Sequence, residues 1–346
     1  MSDRRPAIVV RSLSEQDDAA WEAALRESPH CPWLQWPPWH RCVGKHLGAF
    51  EMLGIENSGS LVGGVIGFVT EEGGKRHFRS NPLTAYHGLW LCVGDLRPGR
   101  VETLTHDCAE GLVRHLNAEF STWAIACAPE FTNVRDFESL GCRVNINYTY
   151  RLPLADAETM LSTFEKEARR QIKRSEESGL TFEACEATEE NLDSFEKLAL
   201  GIAARQGLDG AMAPVGLFKA LAEVICNSGR AKMFLARSPN GDAKKAIISC
   251  WDDQRVYGLL GGGDTEPGSG ADARFLEWRH FDWLHRAGHR EIDLMGANLD
   301  RLHSFKKKWN GVLTPYFTIT GGRVERPGRL KHLRRGVKGL LRAATG

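Results

Sequence analysis

The order of predicted elements constrains this chain more than any other feature. Both halves read as an early helix, strands joined by hairpin turns, a longer helix, and then further strands. Hairpin-joined strands pair antiparallel, whereas strands joined through a helix pair parallel. A chain with both connections builds mixed sheets, not a doubly wound parallel one. In the first half, strands are predicted over Ala7–Arg11, Phe50–Ile55, Leu61–Val69, Trp123–Cys127 and Gly141–Leu154, with helices over Asp17–Glu27 and from Pro98 to Phe120. The prolines of Pro32-Trp33-Leu34-Gln35-Trp36-Pro37-Pro38-Trp39 are expected to prevent a long helix until about Trp39. In the second half, helices are predicted over Thr159–Ser178 (ended by Gly179), Glu189–Arg205, Pro214–Ser228, Ala273–Ala287 and Leu302–Lys308. Strands are predicted over Leu180–Ala184, Ala231–Arg237, Lys245–Trp251, Val256–Gly261, Glu291–Leu294 and Thr314–Thr320. No identical repeat is visible, so the duplication is one of pattern. The expected organisation is a lobe over 1–154, a second over 155–322, and a basic amphipathic tail over 323–346.

Composition narrows the class. A chain of 346 residues, 42% apolar and 26% charged, has enough apolar surface for a core in each half. The net charge of +1 gives no global field toward nucleic acid or membrane. Nine cysteines without a Cys-x-x-Cys pair argue against a disulfide framework or a zinc site, and no metal is expected. The polar start, Met1 to Pro6, does not read as a signal peptide, and the longest apolar runs are short and glycine-broken. A cytoplasmic protein is expected, with any membrane contact peripheral. The tail from Arg323 carries eight Lys/Arg against one Glu, with Leu330, Leu333, Val337, Leu340 and Leu341 at helical spacing. It leaves open a membrane-surface helix, a tRNA-backbone contact, or a docked terminal helix.

The C-terminal third carries the most specific series. Tyr257-Gly258-Leu259-Leu260-Gly261-Gly262-Gly263 runs a strand into glycines; Leu276-Glu277-Trp278 follows on a helix. Then come Asp293-Leu294-Met295-Gly296, Phe305-Lys306 with Trp309-Asn310-Gly311, and Pro315-Tyr316. Upstream lies the basic segment Ala168 to Arg174, closing at Gly179, and the Ala203-Ala204-Arg205-Gln206-Gly207 segment. This series resembles the FemAB-type aminoacyl and acyl transferases and the related acetyltransferase branch of the GNAT superfamily. It departs at Met295, where the family has glycine, and at Trp309-Asn310, where it has Phe-Gly. Similarity in the first half is looser: Trp39 after Leu34-Gln35, Ser80-Asn81-Pro82, and His87-Gly88.

The resemblance implies an α/β fold with mixed sheets, in two tandem GNAT-like lobes with the acceptor in a cleft between them. It implies transfer of an aminoacyl or acyl group onto an amine. The donor would be aminoacyl-tRNA, with acyl-CoA as the alternative; the acceptor would be an amine-bearing molecule such as a diphosphate-linked envelope precursor. A non-catalytic binding module for such a precursor or for RNA is the third reading.

Acyl transfer to an amine passes through a tetrahedral oxyanion, which a fixed cation stabilises by about 3–4 kcal/mol. Lys306, its stem packed by Phe305 and Trp309, suits that role; the alternative is a solvated Lys306-Lys307-Lys308 run. Arg205 suits a bidentate clamp on a phosphate or carboxylate, or else complements its helix C-terminus. Tyr257 is a candidate acceptor contact or a half-core strand residue. Arg170 and Lys173, with Arg169 and Arg174, form either a phosphate-binding face or a solvated helix laced with glutamates. Asp293 orients ligand or backbone, or caps a turn. Gly261 and Gly262 allow close approach of a ligand or make a tight turn. His87 is the one general-base candidate. No Ser-His-Asp or Cys-His arrangement for a covalent acyl-enzyme is evident.

Overall fold

The computed structural model describes residues 8–28, 33–205, 213–263 and 270–322. The basic tail, Gln206 and Gly207 lie outside them. In chain order the first elements are β1 (Ile8–Leu13), α1 (Asp18–Arg26), α2 (Pro37–Leu47), β2 (Phe50–Asn57), β3 (Ser60–Glu72), β4 (Lys75–Arg79), β5 (Trp90–Leu91), α3 (Pro98–Glu119), β6 (Thr122–Ala126), α4 (Arg135–Ser139) and β7 (Arg143–Pro153). Then follow α5 (Ala157–Thr163), α6 (Lys166–Glu177), β8 (Thr181–Cys185), α7 (Glu189–Arg205), α8 (Leu217–Cys226), β9 (Ala231–Arg237), β10 (Ala243–Trp251), β11 (Val256–Gly263), α9 (Gly270–Arg286), β12 (Glu291–Asp293), α10 (Asp300–Lys306) and β13 (Val312–Gly322). The chain forms two compact units. One takes in the chain up to Asn81, Tyr86–Asn147 and the stretch from Pro315; the other takes in Pro82–Ala85 and Tyr148–Thr314. The division falls within β7, before the expected boundary at Leu154.

In the first unit the strands run β1-β2-β3-β4-β6-β13, with β5 beside β3. Two hairpins set the register. Ser58 and Gly59, at φ 53° and 84°, turn β2 into β3, and Gly73 and Gly74 turn β3 into β4. The parallel β4–β6 pair needs the long α3 crossover. Alternation along β2 divides the core. Leu53 and Ile55 pack with Leu112, Leu116 and Trp123 of the α3 side, while Met52 faces Trp21, Ile66 and Trp90. The last strand, assigned to the second lobe by chain order, pairs with β6 here, Thr318 opposite Ala126. Pro37 and Pro38 do not delay α2 as expected. They are its first residues, where a missing N–H costs nothing.

In the second unit the order is β7-β12-β11-β10-β9-β8, antiparallel except for the parallel β11–β12 pair bridged by α9. Both units are therefore mixed sheets with helices, as the element order requires. The single helix expected over Thr159–Ser178 is two, α5 and α6, broken where Phe164 turns extended (ψ 150°) to bury its ring against Trp278 and Trp309. Gly179 ends α6 at φ 79°. The core gathers Tyr150, Leu152, Phe164, Ile172, Trp278, Phe281, Leu284, Ile292 and Trp309. No helix among the described residues is long and apolar enough to cross a membrane.

Candidate active site

The second unit opens a pocket where two strands part. β11 and β12 pair only at Val256–Ile292 and Tyr257–Asp293. Beyond that, β11 continues to Gly263 while the other chain leaves the sheet. A bulge in the β10–β11 register between Ile248 and Ser249 accompanies the divergence. The opening holds a pocket of about 330 Å³, at the lower end of the range of roughly 300–1,000 Å³ for small-molecule sites.

Helical periodicity supplies most of its wall. Ala273, Leu276, Glu277, His280 and Phe281 line it from α9, all on one stripe at spacings of three and four. Ile202 and Arg205, one turn apart, come from α7; Arg301, Leu302, Phe305 and Lys306 come from α10. Lys245 joins from β10, and Gly258, Leu260, Gly261 and Gly262 from β11. Four basic side chains thus face one acidic one, Glu277.

Lys306 is the most constrained of them. Its side chain is buried, and its ammonium donates to the carbonyls of Met295 and, at 2.7 Å, Gly296. An ammonium has three donors, so one remains for the pocket it lines. Those carbonyls point inward because Met295 and Gly296 are both left-handed, at φ 54° and 51°. Asp293 sets that turn: it is fully buried and accepts from Met295 N–H at 2.8 Å, Thr149 Oγ1 at 2.5 Å and Arg151 Nε at 3.0 Å. Burial pulls the Lys306 ammonium down to about 8, against the opposing pull of Glu277 and Asp293.

Glu277 was not singled out from the sequence as a group with a role. Its Oε2 is sealed from solvent and makes no well-formed hydrogen bond among the described residues, although the Trp309 indole N–H draws on the carboxylate. Burial pushes its carboxyl up to about 7, although Arg274, Lys306 and Trp309 pull the other way. The signal that would have found it is a single acidic residue on the stripe of α9 that carries Ala273, Leu276, His280 and Phe281. Arg274, one turn earlier, is buried with its guanidinium 3.6 Å from the Phe305 ring centroid and 4.8 Å from that of Trp309. Lys245 also escaped notice, standing beside Lys244 near the start of β10.

The structure brings Lys306, Phe305, Arg205, Gly261 and Gly262 together and gives the other candidates different work. Phe305 is wall and platform, with no acid–base group to offer. Arg205 is exposed at the end of α7. Gly261 and Gly262 form no tight turn; they are strand residues, and Gly262 lies against α7, where a Cβ would meet Leu198 Cβ at 2.8 Å. Asp293 supports the turn beneath Lys306 and does not line the pocket. Tyr257 points away from it, fully buried, its hydroxyl donating to Asp252 at 2.7 Å. Arg170 and Lys173 stand exposed on α6, 3.7 and 3.8 Å from Glu167 and Glu177, on the glutamate-laced face. His87 belongs to the first unit. It is fully buried, its Nε2 lies 2.6 Å from the Ile66 carbonyl, and burial pushes its imidazole down to about 4. A ring so enclosed cannot reach a substrate proton, which corrects the expectation of a base there.

Comparison with known proteins bears on the fold. Residues 162–307 match the family described as an acetyltransferase (GNAT) domain. Among solved structures the chain is similar to FemX, at 12% identity and a TM-score of 0.62 over 89% of this chain and 96% of that one. It is similar to the C-terminal domain of a putative lysylphosphatidylglycerol synthetase from Agrobacterium fabrum, at 15% identity and a TM-score of 0.53 over 82% and 87%. A tandem GNAT protein from the clavulanic acid biosynthesis pathway matches at 11% identity and a TM-score of 0.52, over 92% and 100%. Comparison with curated protein sequences returns no match. These findings define a fold: a GNAT-domain match over residues 162–307, and a FemX-like fold over most of the chain, as the sequence resemblance implies.

Proposed function

We propose that the protein is an N-acyltransferase that moves an aminoacyl group from aminoacyl-tRNA onto the amine of an anionic acceptor, within the pocket of the second unit. The observation that carries this reading is the Lys306 ammonium, held by two inward carbonyls on the pocket wall with one donor left over. A donor fixed before reaction stabilises the oxyanion without reorganising, an effect of about 3–4 kcal/mol. In this reading the acyl carbonyl oxygen sits against Lys306 Nζ and the apolar wall of Leu276, Phe281, Leu294 and Phe305 excludes water. Arg205, at the pocket rim, clamps a phosphate or carboxylate of the acceptor by bidentate hydrogen bonds. A diphosphate-linked envelope precursor has that chemistry. The aminoacyl donor is favoured by the FemAB resemblance and by the likeness to a protein named for a lysylated lipid. Exposed Arg170 and Lys173 are then available to a tRNA backbone, since their surface ion pairs are worth under about 1 kcal/mol.

The second reading keeps the site and changes the donor to acyl-CoA. It is favoured by the acetyltransferase description of the matched family. Direct binding of bulk aminoacyl-tRNA at two salt concentrations, with coenzyme A as competitor, separates the two. Saturable, salt-sensitive binding that coenzyme A does not displace supports the tRNA donor. Coenzyme A binding without tRNA binding supports the second reading, and binding of neither removes both.

A further inference from the structure

We propose that Glu277 is the proton acceptor for the attacking amine, working opposite Lys306 across the same pocket. The inference rests on the acyl-transfer reading above and adds the group whose absence left that reading without a base.

The geometry carries it. A carboxylate oxygen withdrawn from solvent and left without a donor costs free energy unless something else uses it. Glu277 Oε2 is withdrawn from solvent without a well-formed hydrogen bond among the described residues, with only the Trp309 indole N–H drawing on the carboxylate, and the residue lines the pocket. The titratable and charged groups around it are Arg274 and His280 of its own helix, Arg205 of α7, Lys245 of β10, and Arg301 and Lys306 of α10. His280 cannot do the work. Its Nε2 is 3.0 Å from Ser249 Oγ, and burial pushes its ring down to about 3. The two lysines and the arginines are donors, with no acceptor to offer. Glu277 alone combines the right polarity with a basicity near neutrality, where a general base is most effective. Arg274, stacked on Phe305 and Trp309, sits one turn from it and resists full neutralisation of the carboxylate.

The step balances as follows. The neutral amine attacks the acyl carbonyl, forming the C–N bond while the oxyanion is held by Lys306. The nitrogen's surplus proton passes to the Glu277 carboxylate. The bond to the leaving group breaks, and Glu277 returns that proton to the departing oxygen or sulfur. The products are the amide and the free hydroxyl or thiol, with Glu277 again ionised.

The test offers bulk aminoacyl-tRNA and acetyl-CoA to the full chain, each with a panel of peptide and amino-sugar amines, and compares wild type with Glu277→Gln. Glutamine keeps the shape and removes the basicity. The expected result is a loss of roughly 10²–10⁴-fold in kcat, little change in KM, and disappearance of the acid limb of the pH profile. A second measurement guards against misfolding: carbon-13 carboxyl resonances should show one glutamate titrating near neutrality in wild type that is missing in a folded Glu277→Gln protein. Wild-type turnover with Glu277→Gln within threefold of it, or an unchanged acid limb, overturns the inference and leaves the acyl-transfer reading standing. No turnover of either donor by the wild type overturns both.

Discussion

Asp293 and Lys306 grip the same residue from opposite sides. Met295 gives its N–H to the Asp293 carboxylate at 2.8 Å, and its carbonyl receives the Lys306 ammonium. The cation that faces the pocket is therefore positioned by an acid that does not line it. Replacing Asp293 with alanine removes the buried ion pair to Arg151 and leaves the Met295 N–H without its acceptor. Breaking a buried ion pair in this way costs about 3–5 kcal/mol. Urea unfolding of Asp293→Ala should show that loss, and Asp293→Asn, which retains an acceptor oxygen, should lose less. Equal stability of all three proteins would mean that the turn is held by its other contacts.

Lys306 should leave a mark on the pH dependence of stability. Its folded-state value, about 8, lies below the ordinary 10.5. Between those values the unfolded chain holds the proton and the folded one does not, so stability rises with pH. Below about pH 8 both states are protonated and the folded state carries the full penalty of a buried charge. Measured as the difference between wild type and Lys306→Met, which cancels other titrating groups, the wild type should gain up to about 3 kcal/mol between pH 8 and 10.5. A flat difference would mean an ordinary, solvated lysine. The same substitution should lower turnover by about 10²–10³-fold through loss of the oxyanion donor.

Much of this was legible in the sequence because local rules and tertiary structure agree. β9 runs over Ala231–Arg237 as expected, α7 ends at Arg205, and Gly179 ends α6. Both departures from the FemAB pattern sit on left-handed backbone, Met295 at φ 54° and Asn310 at φ 57°, where glycine would be unstrained. The backbone demand survives although the residue does not. What escaped is what periodicity cannot carry. β5 is two residues long, and α4 covers only Arg135–Ser139. The break between α5 and α6 is dictated by where the Phe164 ring is buried. The return of β13 to the first unit is a long-range pairing with no local signal. Tyr257 and Gly258 are neighbours on opposite faces of β11, so a motif spanning both could not say which one meets the ligand.

The two pocket glycines should respond differently to a methyl group. At Gly262 a Cβ would lie 2.8 Å from Leu198 Cβ and 3.0 Å from the Ala199 backbone nitrogen. Neither neighbour can yield without moving α7, so Gly262→Ala should cost about 1–3 kcal/mol in thermal or urea unfolding. At Gly261 the nearest atom is the Ala246 carbonyl oxygen at 3.8 Å, an ordinary contact. Gly261→Ala should fold with near wild-type stability and only narrow the pocket. Similar stability losses in both would place α7 differently from the arrangement described.

Arg205 offers the cleanest separation of binding from folding. It is exposed, ends its helix, and lines the pocket rim, so its truncation creates no cavity and strands no partner in the core. Arg205→Ala should leave the unfolding midpoint within about 0.5 kcal/mol of wild type, as for a surface site. Loss of a charge-assisted hydrogen-bonded clamp on the acceptor corresponds to about 1.5–3 kcal/mol, or roughly 10- to 150-fold. That loss should fall on KM for the acceptor, with kcat nearly unchanged, because the clamp acts equally in ground and transition states. Arg205→Lys should recover only part of it, since an ammonium cannot make the paired fork. A fall in kcat instead would put the guanidinium at the reacting carbonyl beside Lys306 and move the acceptor's anionic group elsewhere, with Arg301 the next residue to truncate.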